Sequence, residues 1–240
     1  MNSRSPSNKR EAGFSLFELV IAMGLTITIM GVASTLLASA FKQRSSNYDT
    51  IDALADAQRG LNIMSREIAD AGFNLTDNGI VGADSVTDAN GNSTIRLRAN
   101  LNKFDMSPTI GDPARNGIGV VGQDAGEDVK YFIYPTSNTT LLARYDAYAV
   151  AGGSSTVLAN RLDGLHIHYF SQYVTYSTSG CDITSASAVE VSPSAAKYVV
   201  IAVCVGVEAV GSPGSPGYQP GRSVLLVSDV ALRNSNLTTY

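Results

Sequence analysis

The stretch Phe14–Phe41 reads FSLFELVIAMGLTITIMGVASTLLASAF, 28 residues with a single formal charge, Glu18. A helix of that length and composition is long enough to cross a bilayer. Arg4, Lys9 and Arg10 precede it, and basic residues flanking a span stay on the cytoplasmic side, which sends the rest of the chain outward. Three kinds of segment fit this outline. A secretory signal peptide has a shorter apolar core, a small-residue cleavage site behind it and no acid inside it. A plain membrane anchor explains the length and leaves Glu18 without a reason, since a charge at membrane depth is costly and calls for a partner. Cleavage between Gly13 and Phe14 supplies one. It creates a new α-amine four residues before Glu18, and the carboxylate could pair with that amine on a neighbouring subunit.

Gly13-Phe14-Ser15-Leu16-Phe17-Glu18-Leu19 resembles the processing motif of type IV prepilins. The resemblance implies that a prepilin peptidase cuts after Gly13 and N-methylates Phe14, and that Glu18 serves subunit assembly. Many major pilins carry a proline near the twenty-second residue after the cut, where this chain has Thr35. Any loosening of the helix on assembly would then fall to Gly24 and Gly31.

Beyond Lys42 the sequence turns polar but keeps a helical rhythm. Ile51, Leu54, Ala55, Leu61, Met64, Ile68 and Ala71 mark one stripe, and Gly72 is a stop signal. A single helix from Phe14 to Ala71 would be about 87 Å long. The remainder reads as strands at Thr94–Arg98, Val129–Tyr134, Leu141–Tyr145, Leu165–Phe170, Tyr198–Glu208 and Ser223–Ala231. In Tyr198–Glu208, Val199, Ile201, Val203, Val205 and Val207 should face one way, with Val200, Ala202, Cys204, Gly206 and Glu208 facing the other. Asn90-Gly91 suits a tight turn. Gly211–Gly221, rich in Gly and Pro, should be an exposed loop. The expected fold is α+β: a long N-terminal helix packed on an antiparallel β-rich head. Its expected parts are a cleaved cytoplasmic leader (1–13), a membrane or fibre-core half-helix (14–41), an amphipathic half-helix (42–72) and a head outside the cytoplasm (73–240).

Five further patches sharpen the likeness. The helix end Ala57–Phe73, which runs AQRGLNIMSREIADAGF, resembles PilW-type minor pilins and J-type pseudopilins. So do Val129–Phe132, Leu142–Arg144, Leu165–Tyr169 and Val230–Asn234. The resemblance implies a minor pilin that joins a type IV pilus fibre near its tip and helps start its assembly. Its partners would be prepilin peptidase, the inner membrane and other pilins met through the N-terminal helix. A type II secretion pseudopilin is the alternative within the same family. A membrane-anchored periplasmic enzyme or binding protein is the alternative from another class.

Composition narrows the choice. Charged residues are only 16% of the 240 and the net charge is −4. Removing residues 1–13 takes away three of 17 basic residues and one of 21 acidic ones, leaving the chain near −6. With no basic run in the body, nucleic-acid binding has no electrostatic support. Cys181 and Cys204 are the two cysteines. In an exported head they could form a disulfide; otherwise Cys204 is a buried thiol in a strand and Cys181 lies in a loop. His166 and His168 share a strand face, but no third metal ligand is placed beside them. Asp88–Asn92 lacks the later bidentate acid of a calcium loop, while Asp124, Glu127 and Asp128 form another acidic stretch. No Gly-x-Ser-x-Gly elbow and no phosphate-binding glycine loop is present. No catalytic residue, metal site or cofactor is expected.

Overall fold

The computed structural model describes residues 15–101, 124–137, 139–149, 152–185, 188–215 and 218–234. One helix, α1 (Leu16–Asp70), runs unbroken for 55 residues. It is followed by strands β1 (Ile95–Arg98), β2 (Asp128–Pro135), β3 (Thr140–Asp146), β4 (Ser154–Ala159), β5 (Leu162–Phe170), β6 (Tyr176–Ser179), β7 (Asp182–Ser185), β8 (Tyr198–Val207) and β9 (Arg222–Ala231). They form a four-stranded sheet β1-β2-β3-β4, a three-stranded sheet β5-β8-β9 and a two-stranded hairpin β6-β7, with every pairing antiparallel. This is the expected α+β arrangement of a long helix packed on antiparallel sheets.

α1 ends because of its glycine. Gly72 has φ +75°, and a Cβ there would stand 2.6 Å from the Asp77 carbonyl oxygen. Gly79 crosses against it so closely that a Cβ would lie 2.1 Å from the Gly72 nitrogen. Only glycines allow these two backbones to touch. The freed Gly72 N–H donates to Arg98 O at 2.9 Å, which ties the helix end to β1.

The second half of α1 buries Ala53, Ala57, Gly60, Leu61, Met64 and Ile68, spaced by threes and fours as one helix face requires. This corrects the expected stripe: Ile51 and Ala55 face solvent, and Leu54 is half-buried. Three of the six buried residues, Ala53, Ala57 and Gly60, are small and let the sheets approach. A Cβ on Gly60 would come within 3.1 Å of Leu142 Cδ2 and 3.4 Å of Leu158 Cβ. The stripe packs on β4, β8 and β9 and closes one core with Ile95, Tyr131, Leu142, Leu165 and the odd-numbered face of β8.

The faces of β8 divide as the alternation predicts, yet both are covered. Val199, Ile201, Val203 and Val205 enter the main core. Tyr198, Val200 and Ala202 join Phe170, Val174 and Ile183 in a second, smaller cluster on the opposite side. The β6-β7 hairpin supplies Ile183 to that cluster, and Tyr176 packs against it. The six expected strands are all present, with ends shifted by no more than three residues. β4, β6 and β7 lie outside the expected set. Their sequences, SSTVLA, YSTS and DITS, are short, rich in Ser and Thr, and lack a sustained apolar alternation. Asn90-Gly91 does turn, within a single bridge from Thr87 to Ser93. The chain between β8 and β9 is a loop closed by a Val210–Gln219 bridge.

Candidate assembly helix and head contacts

Nothing among the described residues covers the first half of α1. Every residue from Ser15 to Lys42 is exposed, including Phe17, Val20, Leu25, Ile29 and Phe41. Its length and composition suit a membrane span, and none of its apolar window is buried inside the molecule. Four of its hydroxyls are turned inward on the backbone. The hydroxyls of Thr26, Thr28, Thr35 and Ser39 donate to the carbonyls of Ala22, Gly24, Val32 and Thr35 at 2.6–3.0 Å. Four hydroxyls satisfied within the helix leave a surface compatible with lipid or with another apolar helix. Gly24 and Gly31 have open space where a Cβ would sit. Glu18 stands exposed in the first helical turn, the end at which the helix dipole favours an anion. Gly13 and Phe14 lie outside the described residues.

The second half of α1 is bound by charge as well as by packing. Arg144 on β3 reaches Glu67 with Nη2 at 2.9 Å and Nε at 3.0 Å, and its Nη1 reaches Asp146 at 3.2 Å. The buried Tyr131 hydroxyl donates to the same Glu67 carboxylate. Burial first, and then the negative charge of Glu67, push the Tyr131 phenol well above its ordinary range. Arg233 Nη1 lies 3.1 Å from Asp70 Oδ1, and Asn234 donates to the last carbonyls of the helix. The Ala57–Phe73 patch therefore meets Leu142–Arg144 and Val230–Asn234 in space. The sequence marks these patches, but it gives no sign that Glu67 and Arg144 are partners.

The structure joins Cys181 and Cys204 in a disulfide with Cα atoms 5.3 Å apart. Cys181 sits in the β6-β7 turn and Cys204 on the β8 face beneath it, so the bond fastens the hairpin to the sheet. His166 and His168 share the same outer face of β5. The ring nitrogens of His168 lie 2.6 Å from Glu190 Oε1 and 2.7 Å from Asp182 Oδ1. His166 Nδ1 is 3.7 Å from the other Asp182 oxygen. Burial opposes a charge on His168, but the carboxylates of Glu190 and Asp182 outweigh it and raise its pKa above the ordinary value.

The acidic stretch at 124–128 is occupied by protein donors. Glu127 is fully buried and accepts the amides of Leu101 and Asp124 at 2.7 and 2.9 Å. Asp128 accepts Arg96 Nε and Nη2 at 2.7 and 2.8 Å and Arg98 Nε at 3.1 Å. In the Asp88–Asn92 turn, Asp88 Oδ1 caps the amides of Asn90 and Asn92 at 2.8 Å each. An open groove at the base of the head, of about 440 Å³, is lined by Arg161, Asp163, Glu208 and Arg222 among others. Its charges are of both signs, and Asp163 is already engaged by Ser223.

No protein-family model matches the chain, and no curated protein matches it. Among solved structures it is similar to the type IV-like pilin TTHA1219 from Thermus thermophilus, with 12% identity and a TM-score of 0.41, covering 76% of this chain and 97% of that one. The superposition is loose.

Proposed function

We propose that this chain is a type IV pilin-like subunit, held in the inner membrane by the first half of α1 and then carried into a helical fibre by the same segment. One observation carries the reading. A single helix changes character at Lys42: before it every side chain is bare and apolar apart from Glu18 and a few internally bonded polar groups, and after it one face is buried in the head. A bare apolar helix half in water would expose a continuous apolar surface far larger than a soluble monomer carries. It needs lipid before assembly and other helices after it.

Gly13 and Phe14 would be the processing pair, with prepilin peptidase cutting between them and methylating Phe14. Glu18 would neutralise the new amine of a neighbouring subunit, which removes the cost of an acid at membrane depth. Residues 1–13 would be the leader, 14–41 the span and fibre core, 42–72 the amphipathic half and 73–240 the head outside the cytoplasm. Within the family the proposal is a PilW-type minor pilin near the fibre tip that helps to initiate assembly. The long patch Ala57–Phe73 and the strand patches that pack on it support that choice.

Intact-mass analysis of the protein from its native membrane tests the processing. The expected mass is that of residues 14–240 plus one methyl group. An uncut chain, or one cut after Ala38 or Ala40, would overturn the reading.

A further inference from the structure

We propose that the β6-β7 hairpin is a flap with two latches, the Cys181–Cys204 disulfide and a pH-dependent ionic clamp made by His168 with Asp182 and Glu190. The flap covers a distinct apolar cluster. Beneath it lie Phe170, Val174, Val200 and Ala202, separated from the main core by the thickness of the β5-β8-β9 sheet. Among the described residues its two strands pair only with each other, so side-chain contacts must hold it down.

His168 is placed to act on both ends of one segment. Asp182 opens β7, and Glu190 lies eight residues further along the chain. The imidazole stands between them and contacts both carboxylates. A neutral imidazole has one N–H and could donate to only one of these acids. The imidazolium donates to both, so the protonated form fits the geometry. Among the described residues, the other titratable groups that face this point are His166, which shares Asp182, and Tyr169, whose neighbour is Glu190. Across the flap, Tyr176 donates to Asp229 on β9 at 2.6 Å. None of these supplies a second cation fixed between the two acids.

The direction of the pH effect follows. His168 has a raised pKa in the folded head, so its contribution is complete below the unfolded value of about 6.5 and is lost as pH rises through the higher folded value. Loss of the proton leaves two carboxylates facing an imidazole that can satisfy one of them. The disulfide is tied to the residue next to Asp182, so while it is intact the flap stays tethered. The ionic clamp therefore matters most when the disulfide is open.

Hydrogen exchange on the full chain in detergent tests the device, read at residues 176–185 and 188–191 with the disulfide intact or reduced and corrected for the intrinsic pH dependence of exchange. In the reduced chain the opening of this segment should increase about tenfold between roughly pH 6 and pH 9, while Val199–Val205 stay protected. In the oxidised chain the increase should be several-fold smaller. His168→Ala should give a reduced chain whose flap is already open at low pH and shows no further change. Glu190→Gln, which keeps the shape and removes one charge, should shrink the pH response without abolishing the fold. A reduced wild-type flap that ignores pH, or a His168→Ala or Glu190→Gln chain that keeps the full response, would overturn the proposal.

Discussion

The two halves of α1 share one backbone and obey opposite rules. From Leu16 to Phe41 apolar residues occupy all sides and none is buried. From Lys42 to Asp70 polar residues dominate, yet Ala53, Ala57, Leu61, Met64 and Ile68 are almost fully enclosed. Hydrophobicity alone thus gives the wrong map of what stabilises the head. What counts is whether a partner surface exists within the same chain. Among the described residues the apolar half has none, and in the proposed reading its packing is deferred to a membrane or to other subunits. Paired substitutions at matched positions in the two halves separate the two roles.

The largest contrast is between Leu61 and Leu25. Leu61 is 1% exposed and packs between the sheets; Leu25 is 60% exposed. Leu61→Ala should cost the head about 2–5 kcal/mol, through lost burial and the cavity left behind. Leu25→Ala should change head stability by less than about 0.5 kcal/mol. Urea unfolding of both variants in the same detergent, followed at the tyrosines of the head, measures the difference. Equal costs would mean that the apolar half packs on the head after all.

Next come the two acids of the helix. Glu67 is held by Arg144 and Tyr131 at a site where both charged partners are about one-fifth exposed. Glu67→Ala leaves the phenol without its acceptor and the guanidinium with Asp146, and should destabilise the head by about 2 kcal/mol, below the value for a fully buried pair because solvent reaches the site. Glu18→Ala should leave the unfolding curve of the head unchanged and prevent incorporation into fibres, measured by recovery of the variant in sheared fibre fractions. Normal incorporation would remove Glu18 from the assembly mechanism. An altered unfolding curve would show that its role lies in the fold.

These pairs also show which parts are legible in the sequence. The long helix and its stop at Gly72 follow from periodicity and one glycine. Six strands follow from short runs of β-branched, aromatic and other apolar residues. The acid in the apolar segment stands out because it breaks an otherwise uniform rule. The inner stripe departs from the periodic reading at Ile51 and Ala55, which lie on the helix face turned away from the sheets, and hydrophobicity alone does not encode which face the sheets meet. β6 and β7 are hidden because Ser- and Thr-rich strands carry no apolar alternation; contacts far along the chain hold them in place. Glu67 with Arg144, and His168 with Asp182 and Glu190, are pairings through space across separate elements. Each residue type is common alone, so the signal exists only after folding.

The smallest contrast is between two glycines, and it tests the point about close approach. Alanine is favoured over glycine inside a helix by about 1 kcal/mol, so with nothing nearby either substitution should stabilise. At Gly31 nothing lies within 4 Å of the place a methyl would take. Gly31→Ala should therefore raise helix content in detergent and leave the head untouched. At Gly60 the same methyl would press on Leu142 Cδ2 at 3.1 Å and Leu158 Cβ at 3.4 Å, in a region where Leu142 is fully buried. The neighbours must shift by a few tenths of an ångström, and overpacking in a closed core costs about 1–3 kcal/mol. The helix gain offsets part of that, so Gly60→Ala should lower head stability by about 1 kcal/mol. A Gly60→Ala head as stable as Gly31→Ala would show that β3 and β4 yield easily, and that the buried stripe is set by the polar clamp at Glu67 more than by the closeness of the packing.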